Sequence, residues 1–138
     1  MKRALTADDV KTMAAAAEAY AAANHWAVTI AILDDGGHLL HLHRMDNAAP
    51  STVEMAIAKG RTSALGRRES KAYEDIIKQG RTAFLSAPLS GMVEGGVPIV
   101  VKGEVIGAFG VSGVKSEQDA AIAAAGITAL GVEGTYDV

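Results

Sequence analysis

The stretch VTIAILDDGGHLLHLHRM, Val28 to Met45, decides the fold. Val28 to Leu33 is a six-residue run, mostly apolar and rich in β-branched side chains, which suits a central strand covered on both faces. Asp34-Asp35-Gly36-Gly37 then turns the chain, the glycines supplying the positive φ angles of a tight hairpin. His38 to Met45 returns as the partner strand. Strict alternation puts His38, Leu40, Leu42 and Arg44 on one face, and Leu39, His41, His43 and Met45 on the other.

Before this hairpin, Ala7 to Asn24 reads as a helix. Thr6 and Asp9 have the spacing of a capping box, and Val10, Met13, Ala14, Ala17 and Ala21 form one apolar stripe. After it, Pro50 and Ser51 open a second helix, with Ser51 and Glu54 as a second capping box and Val53, Ala56, Ile57, Gly60 and Ala64 as its stripe. Gly60 there marks a close approach to neighbouring backbone. Ser70 to Lys78 reads as a short third helix ending at Gly80, and residues 81–93 carry no decisive pattern. Val97 to Val101 and Val105 to Ser112 flank the turn Lys102-Gly103-Glu104 as a second hairpin, with Gly107 and Gly110 predicting that something packs on its backbone. Ser116 and Asp119 cap a last helix to Leu130, its Ile122, Gly126, Ile127 and Leu130 facing inward. Helix, hairpin, two helices, hairpin, helix implies an α+β fold with an antiparallel sheet, because such short turns join antiparallel strands.

A chain of 138 residues fits one domain, so 1–138 is read as a single unit. Aromatic residues are only 4% of it, so the core is built from Ala, Val, Ile and Leu and is expected to lean on oligomerisation. A net charge of -3 without a basic tail argues against nucleic-acid binding by counterion release. The absence of cysteine excludes disulfides, thiolate catalysis and Cys-ligated metal or haem. Asp8 and Asp9 interrupt any apolar core after Met1-Lys2-Arg3, and no apolar run is long enough for a span. The reading is of a cytoplasmic protein with no membrane association.

Several segments together resemble the GlcG/HbpS family, which includes the C-terminal domain of PduO-type proteins. They are Asp35 to Leu40, Arg44-Met45-Asp46, Ala58 to Ala64, Gly95 to Val100, Gly103 to Gly113 and Ser116 to Asp119. They run in one order over most of the chain. The resemblance implies a profilin-like α/β fold, with a five-stranded antiparallel sheet flanked by helices on both faces. It also implies homo-oligomers, and haem or corrinoid binding in some members. Val93-Glu94 departs from the family, which often has an aromatic residue and a proline before the two glycines. A carboxylate there would repel haem propionates.

Two sets of residues are candidates for chemistry. The first is histidine, a common axial ligand of haem iron. His38 stands at the mouth of the hairpin, where many relatives carry His, and is the first choice as haem ligand. His41 and His43 share a strand face and could bind beside it, with Gly95 and Gly96 letting backbone approach a flat ligand. Their alternative role is an ordinary solvated or subunit-facing strand face, and His25 suits a helix C-terminus. The second set is Arg44, Asp46, Lys59, Arg61 and Glu94, able to bind a small carboxylate and move a proton if the fold gathers them. Its alternative is structural or solvated charge. Neither glycine pair matches a nucleotide-binding fingerprint, and no nucleophile elbow is present. The expected function is thus binding of haem or a related tetrapyrrole by a homo-oligomer. The alternative is a cofactor-free catabolic deaminase, isomerase or hydrolase acting on a carboxylate metabolite.

Overall fold

The computed structural model describes residues 2–131; Met1, quoted above in the N-terminal segment, and residues 132–138 lie outside them. The first helix, α1 (Ala7–Ala23), starts at the expected box: Thr6 Oγ1 accepts from the Asp9 amide at 3.1 Å, and the Thr6 amide donates to Asp9 Oδ2 at 3.0 Å. Two otherwise free amides are thereby satisfied. Its stripe of Val10, Met13, Ala14, Ala17 and Ala21 is buried as the periodicity predicts. The chain then forms the hairpin β1 (Thr29–Asp34) and β2 (Leu39–Arg44), helix α2 (Ser51–Gly66) and helix α3 (Lys71–Lys78). A 3-10 turn (Thr82–Ser86) leads to the hairpin β3 (Gly96–Val101) and β4 (Glu104–Ser112), and α4 (Ser116–Ala129) ends the described chain.

All pairings are antiparallel, in the order β2-β1-β4-β3. The sheet has four strands among the described residues, not the five the resemblance implies. Residues 81–93 do not supply the fifth: Gly80 and Gly91 adopt positive φ (+107° and +73°), and Pro88 has no amide to offer a ladder.

One sheet face buries Ile30, Ile32, Val97, Ile99, Phe109 and Val111 against Met13, Ala17, Ile122 and Ile127 of α1 and α4. The other carries Ala31 and Leu33 under Ala56 and Ile57 of α2. Here the close approach expected at Gly60 is realised. A Cβ on Gly60 would lie 3.1 Å from the Gly110 amide nitrogen, and one on Gly110 would overlap the Ala56 carbonyl oxygen. Helix and strand therefore meet backbone to backbone, which only glycine on both sides permits.

The structure differs from the sequence reading at three further places. Pairing shifts register between Ile32 and Leu33, so that His41 faces Ile32 while Leu39 faces Leu33. Leu40 is the extra residue of a bulge, which breaks strict alternation. Leu39, Leu42 and Arg44 consequently share the α2 face, whereas Leu40 joins His41 and His43 on the α1 face. Ser51 is not the cap of α2, because Pro50 is already helical (φ -55°, ψ -35°) and no side chain caps that end. Nor does Ser116 cap α4: Lys115 flanks the helix there, and Asp119 accepts from the Val114 amide at 3.2 Å while turning its other oxygen to a buried lysine.

Candidate functional site

The β1–β2 turn is organised by one carboxylate. Asp34 Oδ1 accepts from the amides of Gly36 and His38, both at 2.9 Å, and lies 3.2 Å from His38 Nδ1. Burial works against ionisation of Asp34, but the His38 and Gly36 amides and the His38 ring outweigh it and hold the carboxyl below its ordinary range. An ionised carboxylate only accepts, so the proton of neutral His38 sits on Nδ1 and the lone pair on Nε2. The side chain is 80% exposed. A carboxylate-oriented imidazole with an open second nitrogen is the arrangement in which histidine ligates metals.

Two adjoining cavities of about 310 and 340 Å³ run along the same side of the hairpin and share Leu5 and Leu40. The first reaches Lys2, Arg3, Asp34 and Ile106, and the second reaches Val10, Lys11 and His41. Together they form a mainly apolar trough, lined at one end by Asp34 and Asp35 beside Lys2 and Arg3 and at the other by Lys11 and His41; His38 lies outside this lining, next to Asp34. Lys2 and Arg3 are engaged with Asp35 at 2.7 Å and Asp9 at 2.9 Å. The Nε2 of His41 is buried without a hydrogen-bond partner, and its nearest carboxylate oxygen, Glu18 Oε2, is 3.6 Å away. His43 is exposed on the same strand, and His25 lies far off in sequence after α1, in a left-handed conformation (φ +59°).

The second set of candidates does not converge within one copy. Arg44 closes β2, with exposed Asp46 just beyond it. The Arg61 stem lies against Gly37 at the opposite end of that strand, where a Cβ would be 3.0 Å from Arg61 Cγ. Seven extended residues, roughly 20 Å, separate the two positions. Glu94 sits elsewhere again, its amide donating to Glu74 Oε1 at 2.7 Å. Its charge, after burial as the larger cause, holds the Glu69 carboxyl above its ordinary range.

Gly95 and Gly96 seat α2. A Cβ on Gly95 would lie 2.9 Å from Lys59 Nζ, and one on Gly96 would overlap the Lys59 carbonyl oxygen. Ser70 ties the start of α3 to the same loop, accepting from the Gly96 amide at 2.8 Å and donating to Val93 O at 2.6 Å.

The room left by Gly95 is used by a residue whose surroundings the sequence reading missed. Lys59 is 3% exposed and donates to Val111 O and to Asp119 Oδ2, both at 3.0 Å, while Asp119 is 1% exposed. Burial pushes the Asp119 carboxyl up, against the pull of the Lys59 charge and hydrogen bond. The signal was present. Lys59 falls on the Thr52, Ala56, Gly60, Ser63 stripe of α2 and Asp119 on the Ile122, Ala123, Gly126 stripe of α4, so two opposite charges each occupy an inward position.

Fold and site together define a small α+β protein with a histidine-bearing edge hairpin bordering an apolar trough. The chain belongs to the HbpS-like family: the family described as "Haem degrading protein HbpS-like" matches residues 5–128. Protein GlcG of Escherichia coli K12 is 56% identical over 98 residues, which are 71% of this chain and 73% of that protein. Among solved structures, a PduOC–haem complex superposes with a TM-score of 0.86 at 29% identity, over 96% of this chain and 99% of the other. The HbpS crystal structure gives 0.83 at 26% identity, over 93% and 91%.

Proposed function

We propose that this protein binds haem or a related tetrapyrrole as a homo-oligomer, with His38 Nε2 as the axial ligand. The carrying observation is the Asp34–His38 pair, which orients the ring and leaves Nε2 open, Asp34 itself lining the neighbouring trough. The residues fit the group: Leu5, Leu40 and Val10 would meet the macrocycle, and Lys11 at the rim would meet a propionate. The haem held by PduOC, a structural relative, supports the same reading. His38 is so exposed that a second copy is needed to shield bound iron from water, and exposed Leu39, Leu40 and Leu42 offer apolar surface for that contact. A haemin titration of the apoprotein tests this. A saturable, stoichiometric Soret shift, lost in His38→Ala and kept in His41→Ala/His43→Ala, is expected. Weak, non-saturating binding indifferent to His38→Ala would overturn it.

A second reading, cofactor-free acid–base chemistry on a carboxylate metabolite, draws on Glu69 and Glu94, because burial and a like charge raise the Glu69 carboxyl above its ordinary range and so favour proton transfer there. Its test is a turnover screen with small hydroxy and keto acids, any activity being lost in Glu94→Gln.

A further inference from the structure

The β2 edge is free on one side, and its backbone direction follows from a single hydrogen bond. The Met45 amide donates to Val28 O at 3.0 Å, so residue 45 turns its polar groups toward β1. In an extended strand these groups alternate. His43 and His41 therefore also face β1, across from Ile30 and Ile32, and Leu42 and Arg44 present their amides and carbonyls outward. Edge strands are usually blunted by lysine, proline or a bulge in the exposed ladder. Here the bulge falls at Leu40, and the segment beyond it, His41-Leu42-His43, reads the same in both directions.

A free edge strand can take its own copy as partner, and the symmetric segment then sets histidine opposite histidine. An isologous interface requires that where one residue meets a second in the mate, the second also meets the first, and an antiparallel pair centred on Leu42 does so. The two Leu42 residues exchange two main-chain hydrogen bonds, their half-exposed side chains meeting on the α2 face. His41 of each copy then faces His43 of the other in a non-hydrogen-bonded pair, the position of closest side-chain approach, with Cβ atoms ~5 Å apart. Both imidazoles lie on the α1 face, where Glu18 Oε2 is 3.6 Å from the unpartnered His41 Nε2.

We infer that two copies join through β2 into a continuous eight-stranded sheet, and that each junction creates two sites for a divalent transition-metal ion. Each site is built from Glu18 and His41 of one copy and His43 of the other. Two imidazoles and one carboxylate form a zinc-type ligand set with a position left open. No cluster of three such ligands exists within one copy among the described residues, so the site is incomplete without the second. This inference rests on the homo-oligomer part of the proposed function and not on haem.

The full chain contains no cysteine, which makes cross-linking a clean test. Leu42→Cys under mild oxidation is expected to give a covalent dimer in high yield, because facing residues at that separation satisfy disulfide geometry. Leu42→Pro removes an outward amide without touching the β1 ladder, and in light scattering its assembly is expected to have half the wild-type mass. Calorimetry with zinc sulfate alone should find one ion per chain. That binding should weaken at least tenfold in His43→Ala, whose assembly persists, and in Leu42→Pro, whose assembly does not. Absence of the Leu42→Cys dimer, or zinc binding unchanged in His43→Ala, would overturn the inference. A wild-type chain that is monomeric at all concentrations would overturn the oligomer reading with it, whereas an oligomer indifferent to Leu42→Pro sinks this interface alone.

Discussion

Asp34 and Lys59 illustrate two ways in which one side chain decides the behaviour of its neighbours. Asp34 supplies three acceptor contacts to the hairpin turn and thereby sets the tautomer of His38. Asp34→Asn is expected to weaken haemin binding by about 10-fold or more, the usual cost of losing the group that orients a ligating histidine, while leaving far-UV circular dichroism unchanged. Lys59 is different, because its charge is buried and satisfied only by Asp119 and Val111 O. Lys59→Met strands the Asp119 carboxylate and should cost about 3–5 kcal/mol in urea unfolding, whereas Lys59→Met/Asp119→Leu should recover much of it. His38 was legible as a candidate from its place after the glycine turn. Lys59 was legible only as a charged residue near Arg61, because reading it as solvent-facing ignored its position on the buried stripe.

At the scale of elements, caps and turns carried the clearest signals. Thr6 and Asp9 form the predicted box, and Thr6→Ala should lower stability by about 1 kcal/mol. The box also makes stability depend on acid. The Thr6 amide bond holds the Asp9 carboxyl below its ordinary range, with burial opposing and Arg3 assisting. Folded Asp9 therefore binds its proton less readily than unfolded Asp9, so its contribution is complete above the unfolded value near ~3.9 and fades as pH falls through the depressed folded one. Asp9→Asn should flatten the loss of stability between roughly pH 5 and 2, as followed by urea midpoints. The Leu40 bulge was not legible. Alternation assumes one residue per ladder position, and nothing in Leu39-Leu40 marks the extra one, so the grouping of Leu39 with the histidines failed. Ser51 failed as a cap because Pro50, with φ already fixed near the helical value, begins the helix before it.

For the whole molecule, the order of hairpins and helices determined the layered architecture, while strand count was beyond its reach. Residues 81–93 had no pattern to read, and they hold a 3-10 turn bounded by glycine and proline; the fifth strand expected from the family is not found among the described residues. An assembly of the kind proposed makes apparent stability a function of protein concentration, since association removes folded subunits from the unfolding equilibrium. The melting temperature should accordingly climb by several degrees across a hundredfold concentration range, and a flat dependence would argue for a monomer. The Gly60–Gly110 seam bears on this scale as well. With no side chains between them at this point, helix and strand are spaced by backbone van der Waals contact, and that spacing fixes how far the Lys59 amine reaches past Gly95. The seam acts as a depth stop: Gly110→Ala adds one methyl against Ala56 and Gly60, and because Lys59 lies on that same turn, lifting α2 there draws its amine off Asp119, so that a steric change is felt as an electrostatic loss.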